Sequence, residues 1–71
     1  MNTTDYAQIS SSNIRFLLTK NNMSIRQLAE KIGIAATTLN DSLKSKKGVF
    51  VDSLIKIADY FNLTVNDLCN V

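Results

Sequence analysis

The sequence predicts an all-α fold, in which five short helices form a compact domain with a helix-turn-helix at its centre. Three observations lead to this prediction. The 71 residues contain no proline and only two glycines, so little in the composition interrupts a helix. Apolar residues recur every three or four positions, which is the period of an amphipathic helix. Capping boxes at Ser24 with Gln27 and at Thr64 with Asp67 indicate where two of the helices begin.

The N-terminal part of the chain divides at Ser10. Residues 1–9 show no clear period and predict a flexible segment, whereas residues 10–71 are expected to form the folded helix-turn-helix domain. Ser10 is the expected cap of the first helix, although either of the next two serines would also serve. Phe16 is either an exposed aromatic residue or, as we prefer, the cover for Tyr6. The buried stripe of this helix consists of Ile14, Leu17 and Leu18.

Residues 24–47 predict two helices joined by a tight turn. The first runs from Ile25 to Ile32 behind the Ser24 cap, and Gly33 then supplies the left-handed conformation that ends it. The second runs from about Ala36 to Lys44. Apolar residues at helical spacing give both helices a buried stripe: Leu28, Ala29 and Ile32 in the first, and Leu39 and Leu43 in the second. Such a pair predicts a helix-turn-helix.

The C-terminal third predicts two further helices, from about Asp52 to Phe61 and from about Val65 to Cys69. Asn62 is expected to end the first of them, because asparagine tolerates the left-handed conformation. The expected buried residues of the fourth helix are Leu54, Ile57, Ala58 and Phe61. The preceding connection, residues 48–51, is unusually apolar for a loop. One or two of its residues should lie under the fourth helix, and Val49 and Phe50 are the candidates for a dimer contact.

The composition argues against several classes of protein. The single cysteine and the absence of histidine provide neither a disulfide nor a zinc site of the usual ligands. No nucleophile and base pair and no glycine-rich phosphate loop can be named, so we expect no catalytic residue, metal, cofactor or small-molecule ligand. No apolar run approaches the roughly 20 residues of a membrane span. Residues 1–9 lack the features of a signal peptide, and an intracellular, cytoplasmic protein is expected.

The charge is distributed unevenly along the chain. The overall net charge of +2 is too small to indicate nucleic acid by itself. Residues 24–47 carry a balance of +3, whereas residues 48–71 carry a balance of −2. The positive region therefore coincides with the predicted helix-turn-helix, as binding to phosphates requires. The alternative is that the lysines near the loop only form a solvated surface.

The motif residues resemble a known family. LAEKIGI, followed by TTLNDSL and KSKKG, is similar to the helix-turn-helix of the Cro and phage-repressor-like domains. LIKIADYFNLTVNDL, at 54–68, is similar to the fourth and fifth helices of that family. The resemblance covers about residues 13–69, and it implies a lambda-repressor-like fold and a transcriptional regulator, most simply a repressor. It also implies binding of double-stranded DNA at a palindromic operator as a homodimer, with helix 36–44 in the major groove.

The expected DNA contacts fall into two groups. If Leu39 and Leu43 face the core, the residues available to read bases are Ala36, Thr37, Asn40 and Asp41. The candidates for phosphate contacts are Ser24, Arg26, Thr38, Lys44, Lys46 and Lys47. The chain departs from the family pattern where Ile25 replaces a frequent phosphate-binding glutamine, where Ala35 replaces a Ser or Thr cap, and where Ser42 replaces an apolar residue.

Two alternatives stay open at this point. Asp41 can accept a hydrogen bond from a cytosine amino group, or it can form an ion pair with Lys44 three residues later. The same fold can also serve as a protein-interaction module, such as an antitoxin or an antirepressor-like partner. The chain can be a short Cro-like protein or the DNA-binding part of a longer repressor that dimerises through another domain.

Overall fold

The computed structural model describes the backbone of residues 3–70 and the side chains of residues 7–70. Five helices follow one another, and no strand occurs among the described residues: α1 (Thr3–Lys20), α2 (Ile25–Ile32), α3 (Ala36–Lys44), α4 (Val51–Tyr60) and α5 (Val65–Cys69). The predicted all-α fold class is confirmed. The predicted bounds of α2, α3 and α5 are also confirmed, and α4 begins and ends one residue earlier than expected.

The predicted start of the first helix is wrong, because α1 begins at Thr3 and not at Ser10. Ser10 does not cap the helix but lies inside it, almost fully buried, and its hydroxyl donates to the carbonyl oxygen of Ala7 at 3.1 Å. Whether part of residues 1–9 is flexible stays a prediction. Phe16 is 65% exposed, and the side chain of Tyr6, which it is expected to cover, lies outside the described residues.

The N-terminal half of α1 packs closely against the loop that precedes α4. Gly48 in that loop is buried and has a φ of +79°, which is the left-handed region. A Cβ atom at Gly48 would lie 2.9 Å from the Cβ of Ala7 and 3.1 Å from its Cα. Both the backbone conformation and the close approach therefore require glycine at this position.

The core takes one fully buried large side chain from each helix: Ile14, Leu28, Leu39, Ile57 and Leu68. Removing each of these side chains from water stabilises the fold by about 1.5–3 kcal/mol. Leu17 and Phe61, which we expect to be buried, are only half-buried and pack at the margin of this core. All five helices thus share one interior, which holds the helix-turn-helix on a common base.

The helix ends follow the predicted capping rules. The Ser24 hydroxyl accepts from the Gln27 amide at 3.0 Å, and the Gln27 side chain accepts from the Ser24 amide at 2.8 Å. Thr64 and Asp67 repeat this box at 3.0 and 3.1 Å. The two predicted left-handed stops, Gly33 (78°) and Asn62 (61°), have positive φ angles, and so does Asn22 (54°) after α1. Because both ends of α2 are defined in this way, the start of α3 is fixed relative to it.

The Asn13 side chain, which the sequence analysis does not single out, connects α1 to the end of α5. The Asn13 amide in α1 donates to the carbonyl oxygens of Leu68 and Asn70, both at 2.7 Å. These carbonyls belong to the last turn of α5 and to its C-cap, where helical partners run out. The contact therefore closes the domain on the side of α1 and α5.

Candidate nucleic-acid interface

The third helix keeps one side in the core and the rest toward solvent. Leu39 and Leu43 are its buried residues, so the remaining positions decide what α3 can contact. Of the expected base-reading residues, Thr37 and Asp41 are exposed, whereas Ala36 and Asn40 are half-buried. Ala36 also packs against the core, and it offers only part of its surface to a ligand. The side of α3 that is away from the core is therefore polar and uncovered.

A shallow recess of about 260 Å³ lies between the N-terminal ends of α2 and α3. It brings together four of the expected DNA-binding residues and one that was not expected to bind: Arg26, Ala36, Thr37, Asn40 and Ile25. Ile25 is half-buried and packs against the core, yet it also forms part of the wall of this recess. The turn at Gly33 is responsible, because it returns the chain so that α3 begins beside the first turn of α2.

Three exposed lysines, Lys44, Lys46 and Lys47, surround the end of α3. The turn that carries them is held by Ser45, whose hydroxyl accepts from the Lys47 amide at 3.1 Å and whose carbonyl accepts from the Gly48 amide at 3.1 Å. Among the described side chains, none of these lysines lies within 4.0 Å of a carboxylate. Their charge is therefore available to an anion.

The expected phosphate contacts at the start of α2 lie at its exposed end. Arg26 approaches Glu30 at 4.0 Å, and the two side chains are 83% and 73% exposed. A surface pair of this kind contributes at most about 1 kcal/mol, so a phosphate can replace Glu30 as the partner of the guanidinium. The Ser24 hydroxyl accepts a hydrogen bond in the cap, but its own proton stays available to a phosphate oxygen.

Asp41 has no cation within 4.0 Å among residues 7–70, so the expected alternative of an ion pair with Lys44 is not present. Ala35 provides no side-chain cap for α3, as its sequence predicts. The Ser42 hydroxyl, at the position where an apolar residue is usual, donates to the carbonyl oxygen of Thr38 in its own helix at 2.9 Å. Thr38 itself is exposed beside the reading positions.

The apolar connection before α4 divides between the core and the surface. Val49, an expected dimer contact, is 7% exposed and belongs to the core, so it has little surface to offer a second copy. Phe50, the other expected contact, is 72% exposed, Val51 at the end of the expected apolar connection is 64% exposed, and Ile55 is 44% exposed. We call Phe50, Val51 and Ile55 the α4 patch. Val51 and Ile55 are four residues apart and share one face of α4, whereas Phe50 lies just before the helix.

Other groups in the described part of the chain offer little chemistry. Burial raises the pKa of the Cys69 thiol above its ordinary value, and this disfavours the reactive thiolate near neutral pH. No three acidic, histidine or cysteine side chains among the described residues come together as metal ligands. None of the helices described is both long and apolar enough to cross a membrane.

Comparison with known proteins gives one finding. The family model of the Cro/C1-type HTH DNA-binding domain matches residues 13–71, which include α2 to α5 and the C-terminal part of α1. The comparisons with curated proteins and with solved structures found no match. The matched range contains every residue that we expect to contact DNA.

Proposed function

Because the chain belongs to the Cro/C1-type helix-turn-helix DNA-binding domains, we propose that it is a sequence-specific transcriptional regulator, acting as a repressor. In this proposal α3 enters the major groove, which is about 12 Å wide and admits a helix. The observation that carries the proposal is that the outer side of α3 is uncovered and that the three lysines at its end have no carboxylate within 4.0 Å among the described side chains. A repressor of phage or plasmid type acts on DNA in the cytoplasm.

The base contacts follow from the chemistry of the α3 side chains. The Asn40 amide can pair with the two hydrogen-bonding groups of adenine, and the methyl groups of Ala36 and Thr37 can contact thymine. Asp41 can accept from the amino group of cytosine, provided that its distance from the phosphates limits their repulsion. The proposed readout is thus uneven, with one amide, two apolar contacts and one carboxylate.

The phosphate contacts lie on both sides of the reading residues. At the start of α2, Ser24 and Arg26 are positioned with the amide groups of the first helical turn, which favour an anion. At the end of α3, the exposed side chains of Lys44, Lys46 and Lys47 can bind the phosphates that flank the groove. Thr38, which is also exposed, supplies a further hydroxyl.

We propose that the regulator binds as a homodimer, because a single reading helix covers few base pairs. Two helices related by a twofold axis reach half-sites about 34 Å apart on one face of the duplex, which makes the operator palindromic. Phe50 is the retained candidate for the dimer contact, and the other residues of the α4 patch extend it. Exposed aromatic and aliphatic side chains of this kind are often found at interfaces.

The proposal is tested by measuring DNA affinity at several salt concentrations. The variant Lys46→Glu with Lys47→Glu should bind DNA more weakly. The slope of the logarithm of its affinity against the logarithm of the salt concentration should also be shallower, by about 0.9 for each lost phosphate contact or about 2 in all. The control reverses two other exposed lysines, Lys20→Glu with Lys56→Glu, and changes the net charge equally. Equal losses in the two variants would indicate that only net charge matters, and no salt-dependent binding by the unmodified protein would contradict the proposal.

A second candidate function is a protein-interaction module on the same fold. The observation in its favour is Asp41, an exposed carboxylate in the middle of the proposed reading helix with no cation within 4.0 Å in residues 7–70. This candidate predicts that the protein is indifferent to DNA at every salt concentration. The titration described above therefore separates the two functions.

A further inference from the structure

We infer that the recess between α2 and α3 holds the 5-methyl group of a thymine, and that Ile25 is the residue which makes this contact selective. The inference rests on the proposed function, since it requires α3 to lie in the major groove. It goes further in assigning a base-selecting role to a residue of the first helix of the motif. On the sequence, Ile25 is only a position where a phosphate contact is lost.

The walls of the recess are largely apolar. Ile25 and Ala36, the first residues of α2 and α3, both line the recess and are half-buried, and the exposed residue Thr37 adds a methyl group. Arg26 and Asn40 complete the lining with polar groups. The recess is therefore an apolar depression between a cation and an amide.

Such a depression on a DNA-binding surface has one matching group among the base edges. In the major groove the bases present hydrogen-bond donors and acceptors, and the 5-methyl of thymine is the apolar exception. A water molecule occupies about 30 Å³ of liquid, and a methyl group is similar in size. The recess of about 260 Å³ therefore admits the methyl group together with the edge of its ring.

The simpler interpretation of Ile25 is that it only packs against the core, and it does contact the core. That contact, however, leaves part of the side chain in the recess wall, beside residues of the reading helix. An apolar wall gains free energy when an apolar group displaces water from it, whereas it gives no hydrogen bond to a phosphate. Contact with a thymine methyl uses this surface, and contact with the DNA backbone does not.

The first test changes only the DNA. An operator selected from a random pool is synthesised with deoxyuridine in place of each thymidine in turn, which removes one methyl group and leaves the hydrogen-bonding groups unchanged. At one position in each half-site the affinity should fall by about threefold to tenfold, as expected for the loss of one buried methyl group. Thymines that α3 does not contact should tolerate replacement by uracil.

The second test assigns the effect to Ile25. In Ile25→Gln the preference for thymine over uracil at the sensitive position should disappear, while the uracil operator is still bound. Ile32→Gln is the matched control, because it makes the same replacement at a half-buried isoleucine at the other end of α2. It should keep the preference for thymine even if it lowers stability to a similar extent.

The outcomes separate this inference from the proposed function. Salt-sensitive and selective binding without any uracil-sensitive position overturns the thymine contact and leaves the regulator proposal intact. If every uracil-sensitive position persists in Ile25→Gln, the inference is also overturned, because Ile25 then reads none of these methyl groups. Absence of DNA binding altogether overturns both, and the titration of the unmodified protein identifies that case before any variant is made.

Discussion

At the scale of single residues, the two glycines are required for different reasons, although their φ angles are almost equal. Gly33 has no atom within 4 Å of the place where a Cβ would lie, so only its backbone conformation requires glycine. Gly48 has the same conformational requirement and also contacts Ala7. Comparison of the two positions therefore isolates the packing of α1 on the loop before α4.

We predict that Gly48→Ala destabilises the protein more than Gly33→Ala. Both changes cost about 1–2 kcal/mol for the left-handed conformation, and Gly48→Ala adds about 1–3 kcal/mol for overpacking against Ala7. Urea unfolding of the two variants measures the difference. Equal losses would mean that the N-terminal half of α1 moves away without cost, which would contradict the close packing described for Ala7.

The residue scale also shows where sequence reasoning about the site ends. The exposure of Thr37 and the burial of Leu39 and Leu43 follow from helical spacing alone. The role of Ile25 does not, because it depends on how near the first turns of α2 and α3 approach each other, and an apolar side chain fits the core stripe equally well. Val49 and Phe50 are adjacent apolar residues, and only the path of the loop decides that one is buried and the other exposed.

At the scale of elements, the helices that begin with capping boxes were bounded correctly, whereas the start of α1 was not. Serine and threonine boxes defined α2 and α5, and left-handed residues defined where three helices end. Among residues 7–11 of α1, the buried positions are the small residues Ala7, Ser10 and Ser11, which contribute little hydrophobic periodicity. Ala7 packs against Gly48, which is a contact between distant parts of the chain.

The uncapped start of α3 provides a prediction at this scale. Ala35 already has the extended backbone of an N-cap, with φ −68° and ψ 137°, but no side-chain acceptor. Ala35→Ser should therefore stabilise the protein by about 1 kcal/mol, because its hydroxyl can accept from the amide of Thr38. Thermal unfolding measures the gain.

The matched control is the reverse change at the other helix of the motif. Ser24→Ala removes an existing cap and should cost about 1 kcal/mol. If Ala35→Ser gives no gain while Ser24→Ala shows the expected loss, the amide groups at the start of α3 are already satisfied, and the proposed vacancy at this cap is wrong.

At the scale of the whole molecule, the interior is shared and the surface is divided. Each helix supplies one fully buried side chain, so the helix-turn-helix has no core of its own. The outer side of α3 with its lysines and the α4 patch consist of different residues on this common base. We therefore expect DNA binding and assembly to be altered by different substitutions.

The α4 patch gives the prediction at this scale. Phe50→Asp should weaken operator binding about tenfold or more, because the loss of a buried aromatic contact in each protomer disfavours the dimer. Stability should change little, since Phe50 is 72% exposed. Sedimentation with and without operator DNA measures the stoichiometry, and titration measures the affinity.

Phe16→Asp is the matched control, because Phe16 is an aromatic residue of α1 with a similar exposure of 65%. It should leave the stoichiometry and the operator affinity unchanged. Equal effects of the two variants, or a complex with one protein chain per full operator, would exclude the α4 patch as the dimer contact.

The alternation of exposed and buried residues on α3 also affects how such a protein can acquire new targets. Thr37 and Asp41 are exposed, whereas Leu39 and Leu43 hold the same helix in place. The residues that we propose to select a target therefore alternate along one helix with residues that maintain the fold. Related chains can diverge at the first set while the second stays constant, so a new preference can arise by single substitutions without any rebuilding of the scaffold.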